Sequence, residues 1–147
     1  MSDTPCPGSE ASVEGIIDLA AAYHATAAEL FGARPANASR APARLCSIHA
    51  IELYLNAFLR FRGVPPDRIR AHPHDLSELS ASARGGVFQL RKKTARHLID
   101  VTAKREYPVV RYAPEQTAEL SEISRLTATL EEISKKVRKT LGLMKGD

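Results

Sequence analysis

The chain has 147 residues, 44% of them hydrophobic and 26% charged, a balance that excludes an intrinsically disordered protein and fits one compact domain. Aromatic residues make up only 5% and tryptophan is absent, so Leu, Ile, Val and Ala must form most of the core, which favours closely packed helices. The net charge of +4 allows a phosphate-rich partner, although an excess of this size is also common in proteins that bind no nucleic acid.

The sequence gives no sign of a metal site, a cofactor or a membrane segment. Cys6 and Cys46 lie far apart, and His72 and His74 have no third ligand nearby, so we expect neither a structural disulfide nor a bound metal. No run of about 18 apolar residues could span a bilayer. The first ten residues are polar and acidic, unlike a secretory signal. We therefore expect a cytoplasmic protein without a membrane partner.

The first predicted helix follows a short tail. Residues 1–11 have the Pro, Gly and Ser composition of a flexible tail, and residues 12–147 are predicted to form a single domain. Ser12 is a typical helix cap, and Glu14 places a negative charge at the positive end of the helix dipole. The apolar residues that follow keep the spacing of one buried stripe, and Gly32 is placed to end the helix.

Two further helices are predicted in the middle of the chain. The second begins at Pro42, whose missing N–H needs no partner in a first turn, and it is the most hydrophobic, so it should be central. The segment VPPDRIRAHP is predicted to be a loop, because consecutive prolines disfavour helical dihedrals. A short third helix begins near His74 or Asp75, where Asp75 and Glu78 have the spacing of a capping box, and ends at a Gly-Gly pair.

The last two predicted helices complete the bundle. The fourth runs from Val87 to about Arg105, and the proline-marked segment YPVVRYAPEQ connects it to a last helix from about Glu115 to Met144. Such a helix would be about 45 Å long. Because a small bundle cannot cover that length, we expect its end to protrude or to pack on a second copy in a homodimer. The predicted fold is all-α, an up-and-down bundle of about five helices with a long C-terminal helix.

Three motifs follow one another in the middle of the chain: IHAIELYLNAFLRFRG, HDLSEL and EYPVVRY. Their order resembles that of HEPN domains, the higher eukaryote and prokaryote nucleotide-binding family. IHAIELYLNAFLRFRG resembles the HEPN helix with a glutamate, here Glu52, inside an apolar run that ends in glycine. HDLSEL resembles the His-Asp-Leu start of the third HEPN helix. EYPVVRY resembles the Tyr-x-x-Arg-Tyr ending of the fourth, with three residues instead of two between its first tyrosine and its Arg-Tyr pair. The resemblance covers residues 41–112, and Asn56 departs from it where many members have lysine.

The resemblance implies a helical bundle, often a dimer, with one of several functions. HEPN domains occur as ribonucleases in toxin–antitoxin and phage-defence systems, as partners of small nucleotidyltransferases, and as nucleotide-binding modules. The Tyr-x-x-Arg-Tyr ending resembles the non-nuclease branch. The implied function is therefore a module that binds a nucleotide, RNA or a partner protein such as a nucleotidyltransferase or an antitoxin. The resemblance assigns these positions to a shared face: Glu52, His74, Asp75, Arg111 and Tyr112.

Each of these positions also has an explanation that involves no ligand. Glu52 lies inside an apolar helix and needs a cationic or hydrogen-bonding partner if it is buried. We expect Arg111 to be that partner, either as a structural brace or as part of a binding site. Asp75 is also explained by its role as a helix cap.

The alternative function is a metal-independent endoribonuclease. HEPN ribonucleases carry an arginine and a histidine separated by four to six residues, and two copies meet across a dimer. Arg91 and His97 have this spacing, as do Arg68 and His74 in the predicted loop. On one helix, Arg91 and His97 would lie about 120° apart around the axis, so catalysis would require the second protomer. The arginine is not followed by the usual polar residue of the nuclease motif, and a non-catalytic role is preferred.

Basic residues on the predicted fourth helix are the remaining clue to a nucleic-acid partner. Lys92, Lys93 and Arg96 could contact phosphates along one helix face. A solvated helix face explains the same residues equally well. A third hypothesis therefore stays open, in which the chain is a purely structural dimeric adaptor held together by its last helix.

Overall fold

The computed structural model describes residues 6–33, 39–71, 73–86 and 88–142. Within these ranges the chain forms seven α-helices and one 3₁₀-helix, with no strand beyond an isolated bridge between Gly85 and Phe88. The prediction of an all-α helical bundle is confirmed. No helix in this part of the chain is both long and apolar enough to cross a bilayer.

The helices are more numerous and shorter than the sequence predicts. In chain order they are α1 (Val13–Ala33), α2 (Ala41–Phe61), α3 (Pro66–Arg70), α4 (Leu76–Ala83), α5 (Lys92–Ala103), α6 (Glu106–Tyr112), a 3₁₀-helix (Pro114–Glu119) and α7 (Ile123–Thr140).

Helix α2 lies at the centre of the bundle, as its hydrophobicity predicts. It contacts α1, α3, α4, α6 and α7. Ile48, Ile51 and Leu55 are fully buried along it, and each such side chain stabilises the fold by about 1.5–3 kcal/mol. One cluster of buried residues includes members of every α-helix, so the described residues share a single core.

The predicted helix caps are confirmed at two positions. The backbone N–H of Gly15 donates to Ser12 Oγ at 2.9 Å at the start of α1. The N–H of Glu78 donates to Asp75 Oδ1 at 2.9 Å. Asp75 is therefore the cap of α4, which begins at Leu76. The prediction that Gly32 ends the first helix is wrong by at least one residue, because α1 continues to Ala33.

Two proline-containing segments that were predicted to be non-helical form short helices. Pro66 is the first residue of α3 inside the predicted loop, and Pro108 is the third residue of α6 inside the predicted connector. Both predictions are wrong for the same reason. A first helical turn has no internal acceptor for its N–H groups, so it tolerates a proline that would break a helix interior.

Helix α5 is shorter than predicted. It begins at Lys92 and not at Val87, which lies outside the described residues. The helix ends at Ala103, and Arg105 adopts a left-handed conformation with φ 54° before α6 begins at Glu106. The chain therefore changes direction at a non-glycine residue.

The prediction of one helix from Glu115 to Met144 is wrong at its start. The 3₁₀-helix ends at Glu119, and α7 begins only at Ile123. The N–H of Ser121 donates to Oε1 of the buried Glu106 at 2.6 Å, which holds the intervening residues in an extended conformation. Residues 143–147 lie outside the described part.

The shorter α7 removes the reason for expecting a protruding helix. Its 18 residues span about 27 Å. Leu126, Leu130, Ile133 and Val137 are all buried against the same chain. The homodimer stays a prediction without this support.

Part of the predicted flexible tail is held against the bundle. Arg60 Nη1 donates to the carbonyl oxygen of Gly8 at 2.6 Å, and Nη2 donates to that of Ser9 at 3.0 Å. Arg70 Nη1 donates to Ser9 Oγ at 2.7 Å. Residues 6–11 therefore form a strap over α2 and α3, while residues 1–5 lie outside the described residues.

Candidate functional site

The carboxylate of Glu52 is bound by His74. Glu52 Oε1 accepts from His74 Nδ1 at 2.8 Å, and Oε2 accepts from the His74 backbone N–H at 3.1 Å. His49 Nδ1, one turn earlier on α2, lies 3.8 Å from Oε1. Burial acts to raise the pKa of Glu52, but contacts with His49 and His74 outweigh it and hold the pKa below its ordinary value. Glu52 therefore holds the loop before α4 against α2.

His74 is held in an unusual backbone conformation. Its φ is 62°, in the left-handed region that non-glycine residues adopt at a cost of roughly 1 kcal/mol. The two hydrogen bonds that His74 donates to Glu52 offset this cost, and the His74 ring stacks on Tyr107 with ring centroids 3.9 Å apart. The loop, α2 and α6 therefore meet at one side chain.

Arg111 lies on the same aromatic cluster but does not touch Glu52. Its guanidinium carbon lies 5.2 Å from the centroid of the Tyr107 ring and 4.8 Å from that of Tyr112. Arg111 Nη2 donates to the Tyr112 hydroxyl at 2.8 Å. No carboxylate pairs with Arg111 among the residues the structure describes.

The predicted contact between Glu52 and Arg111 is therefore wrong. The prediction that Glu52 needs a partner is correct, but the partner is His74, and Tyr107 separates that pair from the arginine. Because His74 already pairs with the Glu52 carboxylate, the guanidinium of Arg111 is available for a ligand.

A surface groove of about 360 Å³ runs beside this cluster. The groove is lined by Arg105, which lies between α5 and α6, and by His74, Asp75, Tyr107 and Arg111. We call it the His74–Arg111 groove. His74 and Arg105 are the two non-glycine residues with positive φ in the described part of the chain, so both strained positions border the same groove.

Asp75 is explained by its cap. Its Oδ1 accepts from the N–H of Glu78, and the residue borders the groove without pairing with Arg111. Tyr112 is 72% exposed and makes its contacts through Arg111. Of the five residues assigned to a shared face, four lie on the groove or on its aromatic cluster, and Glu52 supports the groove from behind.

The basic residues of α5 are exposed at the other end of that helix. Lys92, Lys93 and Arg96 all lie on its solvent side, opposite the buried Thr94 and Leu98. None of the three basic residues forms an ion pair within the described ranges. This basic face and the His74–Arg111 groove are at opposite ends of one helix.

His97 lies in the core and is only 4% exposed. Its Nδ1 is 2.7 Å from Thr129 Oγ1 and its Nε2 is 3.0 Å from Ser121 Oγ. Burial, with further positive charge from Arg125, lowers the pKa of His97 to about 4. The neutral ring has both nitrogens occupied by hydroxyl groups.

The direction of each hydrogen bond in this network follows from Glu106. As a carboxylate it can only accept, so the Ser121 hydroxyl donates to Oε2 at 3.1 Å. Ser121 Oγ must then accept from Nε2–H of His97, which leaves Nδ1 to accept from the Thr129 hydroxyl. His97 is thus a fixed tautomer that joins α5 to α7 through the residues before α7.

The proposed nuclease pair is not brought to a common surface. Arg91 is exposed at the N-cap of α5, and its backbone N–H donates to Glu132 Oε2 at 2.8 Å. His97 is buried, and neither of its ring nitrogens is free to act as an acid or a base on a substrate. We therefore propose no catalytic role for Arg91 and His97.

Two residues of these clusters were missed in the sequence. Tyr107 is the first tyrosine of the segment EYPVVRY, separated by three residues from the Arg-Tyr pair, and it could have been found from that segment. Glu106 is the first residue of that segment, and its full burial depends on a contact with Ser121 that no local pattern reveals. A metal site would need at least three clustered ligands, and the described residues contain no such group.

The resemblance to HEPN domains stays a prediction. His74, Asp75 and Arg111, three of the five residues that it assigns to a shared face, line one groove. The spacing of Arg91 and His97 does not lead to a shared surface. Comparison with known proteins found no family model, no curated protein and no solved structure that matches the chain.

Proposed function

We propose that the chain is a non-catalytic HEPN-type module that binds a ligand with a nucleobase and a phosphate, either a free nucleotide or single-stranded RNA. The proposal rests on the position and the contacts of the Arg111 guanidinium. Its guanidinium is held between Tyr107 and Tyr112 at the edge of a groove, without a carboxylate partner among the described residues.

Phosphate is the group that this guanidinium fits best. An arginine presents parallel N–H donors that match two phosphate oxygens, and hydrogen bonds between charged groups are about twice as strong as neutral ones. The two tyrosines fix the orientation of the side chain, so little conformational entropy remains to be lost on binding. Arg105 on the same groove adds a second positive charge.

Exposed aromatic rings beside the arginine favour a base over a bare phosphate. The His74 side chain is 41% exposed although its ring stacks on Tyr107, and Tyr112 is 72% exposed. Stacking of one base on such a ring is worth about 1–3 kcal/mol. The groove therefore combines a phosphate contact from α6 with stacking surfaces from α6 and from the loop before α4.

Backbone strain at the groove supports a functional role. His74 and Arg105 keep left-handed conformations where glycine would cost less. Such outliers concentrate at sites where side-chain placement matters more than stability. Here both residues line the same groove.

The basic face of α5 extends the proposed contact for a longer ligand. Lys92, Lys93 and Arg96 lie on the exposed side of the helix whose far end borders the groove. A mononucleotide would use only the groove, whereas single-stranded RNA would also reach these cations. The two ligands are therefore distinguished by whether the basic face contributes to affinity.

The test is fluorescence anisotropy with a labelled single-stranded RNA decamer, competed with unlabelled AMP. Between 50 and 200 mM salt, about five phosphate contacts predict a loss of RNA affinity of roughly a hundredfold. Arg111→Gln should weaken both ligands about tenfold, because it removes a charge-assisted contact. The triple change Lys92→Gln, Lys93→Gln and Arg96→Gln should weaken only the RNA.

Lys139→Gln on α7 is the matched control, since it removes one exposed positive charge from another helix. It should leave both affinities unchanged. Arg111→Gln should also leave the unfolding free energy within about 0.5 kcal/mol of the parent, because the residue is exposed. Binding that is independent of salt, or equal in Arg111→Gln and the parent, would contradict the proposal. RNA that is cleaved during the assay would favour the endoribonuclease alternative.

A further inference from the structure

A second cavity lies between α1, α2 and α3. It has a volume of about 450 Å³, within the range of small-molecule sites, which is about 300–1,000 Å³. Helices α1, α2 and α3 form its walls, and the strap of residues 6–11 crosses it. The His74–Arg111 groove shares no lining residue with it.

The lining of this cavity divides into an apolar part and a cationic part. Ile16, Leu19 and Leu53 supply aliphatic surface from α1 and α2. Arg60 and Arg70 supply two positive charges, and no acidic residue is part of the lining in the described chain. A ligand with an apolar body and a negative head would match both parts.

Both arginines at present bind weak acceptors. Arg60 donates to the carbonyl oxygens of Gly8 and Ser9, and Arg70 donates to the Ser9 hydroxyl. Neither forms an ion pair within the described residues. A carboxylate adds charge attraction and can bind a guanidinium through two parallel hydrogen bonds, which a single neutral oxygen cannot do, so it would compete with the strap for these donors.

Asn56 adds a further polar group to the cavity wall. Its Oδ1 is shielded from water and has no hydrogen-bond partner in the described structure, a state that costs about 1–3 kcal/mol. A carboxylate cannot donate to this oxygen, so a carboxylate ligand could pair with the Asn56 amide only through its Nδ2–H donors.

We infer that this cavity is a binding site for a small amphipathic carboxylate, whose apolar body packs on Leu19 and Leu53 and whose carboxylate binds Arg60 and Arg70. The carboxylate replaces the oxygens of Gly8 and Ser9, so binding releases the strap from the arginines. The inference is independent of the proposed nucleotide site, because the two sites share no residue.

The experiment uses three probes that separate the two parts of the site: octanoate, octan-1-ol and acetate. Binding to the full chain is followed by two-dimensional ¹H–¹⁵N NMR. Octanoate should bind saturably with a Kd of about 0.1–1 mM, octan-1-ol about tenfold more weakly and acetate not measurably. The amide signals of Gly15 and Leu53 should shift, and those of Gly8 and Ser9 should show increased mobility when octanoate is bound.

Variants assign the binding to the cavity. Arg60→Gln combined with Arg70→Gln should weaken octanoate about tenfold or more and leave octan-1-ol unchanged. Leu53→Trp should abolish binding of both by filling the apolar part. Arg62→Gln is the control, because Arg62 lies near Arg60 on the chain but donates to the Ala83 carbonyl and is not part of the lining.

Circular dichroism of each variant tests whether the helices are retained. If Leu53→Trp does not fold, the arginine pair and Arg62→Gln still decide the question. Octan-1-ol that binds as tightly as octanoate would overturn the inference. It would also be overturned by an absence of saturable shifts with octanoate up to about 10 mM, or by octanoate binding that survives the double arginine change.

Discussion

His97 and His74 both lie close to a glutamate and to hydroxyl-bearing side chains, but they differ in what remains unpaired around them. His97 is buried, and the chain from Glu106 through Ser121 to Thr129 satisfies both of its ring nitrogens. His74 is at the surface, strained in its backbone, and next to an arginine without a carboxylate partner among the described residues.

The difference shows that a motif in the sequence does not tell whether its histidine has a structural role or belongs to a binding site. A buried network with every member paired contributes to stability and has no bonding capacity left for a ligand. An exposed cluster that keeps donors free contributes less to stability and has capacity to bind. We therefore expect changes at the His97 network to affect folding and changes at the His74–Arg111 groove to affect binding.

The largest effect should come from the glutamate of the buried network. Glu106→Ala leaves the N–H and hydroxyl of Ser121 without their acceptor and removes the negative charge that acts on Arg44. Such a loss should lower the free energy of unfolding by about 4 kcal/mol. Urea unfolding followed by circular dichroism measures it. Glu115→Ala, an exposed glutamate in the 3₁₀-helix, should change it by less than about 0.5 kcal/mol, and equal effects would contradict the buried network.

The next effect is a dependence of stability on pH that comes from His97. The folded pKa of His97 is about 4, below its ordinary value of 6.5, so the unfolded chain binds the proton first. Stability should therefore fall as the pH is lowered from 6.5 to 4, by about 3 kcal/mol from this residue.

Unfolding curves across that range test this pH dependence. His97→Gln should flatten the dependence of the unfolding free energy on pH above pH 4. His24→Gln on α1 should keep that dependence, because His97 is intact in this variant. A slope that is the same with and without His97 would show that its ring is not held neutral in the folded chain.

A smaller effect is expected at the groove. A double-mutant cycle of Glu52→Ala and His74→Ala should give a coupling energy of about 1 kcal/mol, since solvent screens the partly exposed pair. The combination of Glu52→Ala with Lys139→Ala should be additive. If the Glu52 and His74 changes were also additive, the glutamate would not be what holds the loop.

Local signals were enough to predict the parts of the fold that depend on neighbours in sequence. Ser12 and Asp75 were correctly identified as caps, because a cap needs only the few residues that follow it. The segments around Pro66 and Pro108 were wrongly predicted to be non-helical, because the effect of a proline depends on whether it lies in the first turn or in the interior of a helix.

The errors at the candidate sites have a different origin. The break before α7 depends on Glu106 and Ser121, and the partner of Glu52 comes from a loop on the far side of α3. Burial of His97 likewise depends on how α7 packs on α5. Pairings between distant residues cannot be read from periodicity, so the motif residues could be predicted and their partners could not.

The hydrogen bonds from Ser121 to Glu106 make it possible to detect separation of α6 from the start of α7. The Ser121 amide hydrogen lies outside any helix, and its only acceptor in the described structure is a side chain from α6. Exchange of this hydrogen with deuterium requires α6 and the start of α7 to separate, even if both helices stay folded. Ser121 is therefore a natural reporter of sub-global opening between the two helices.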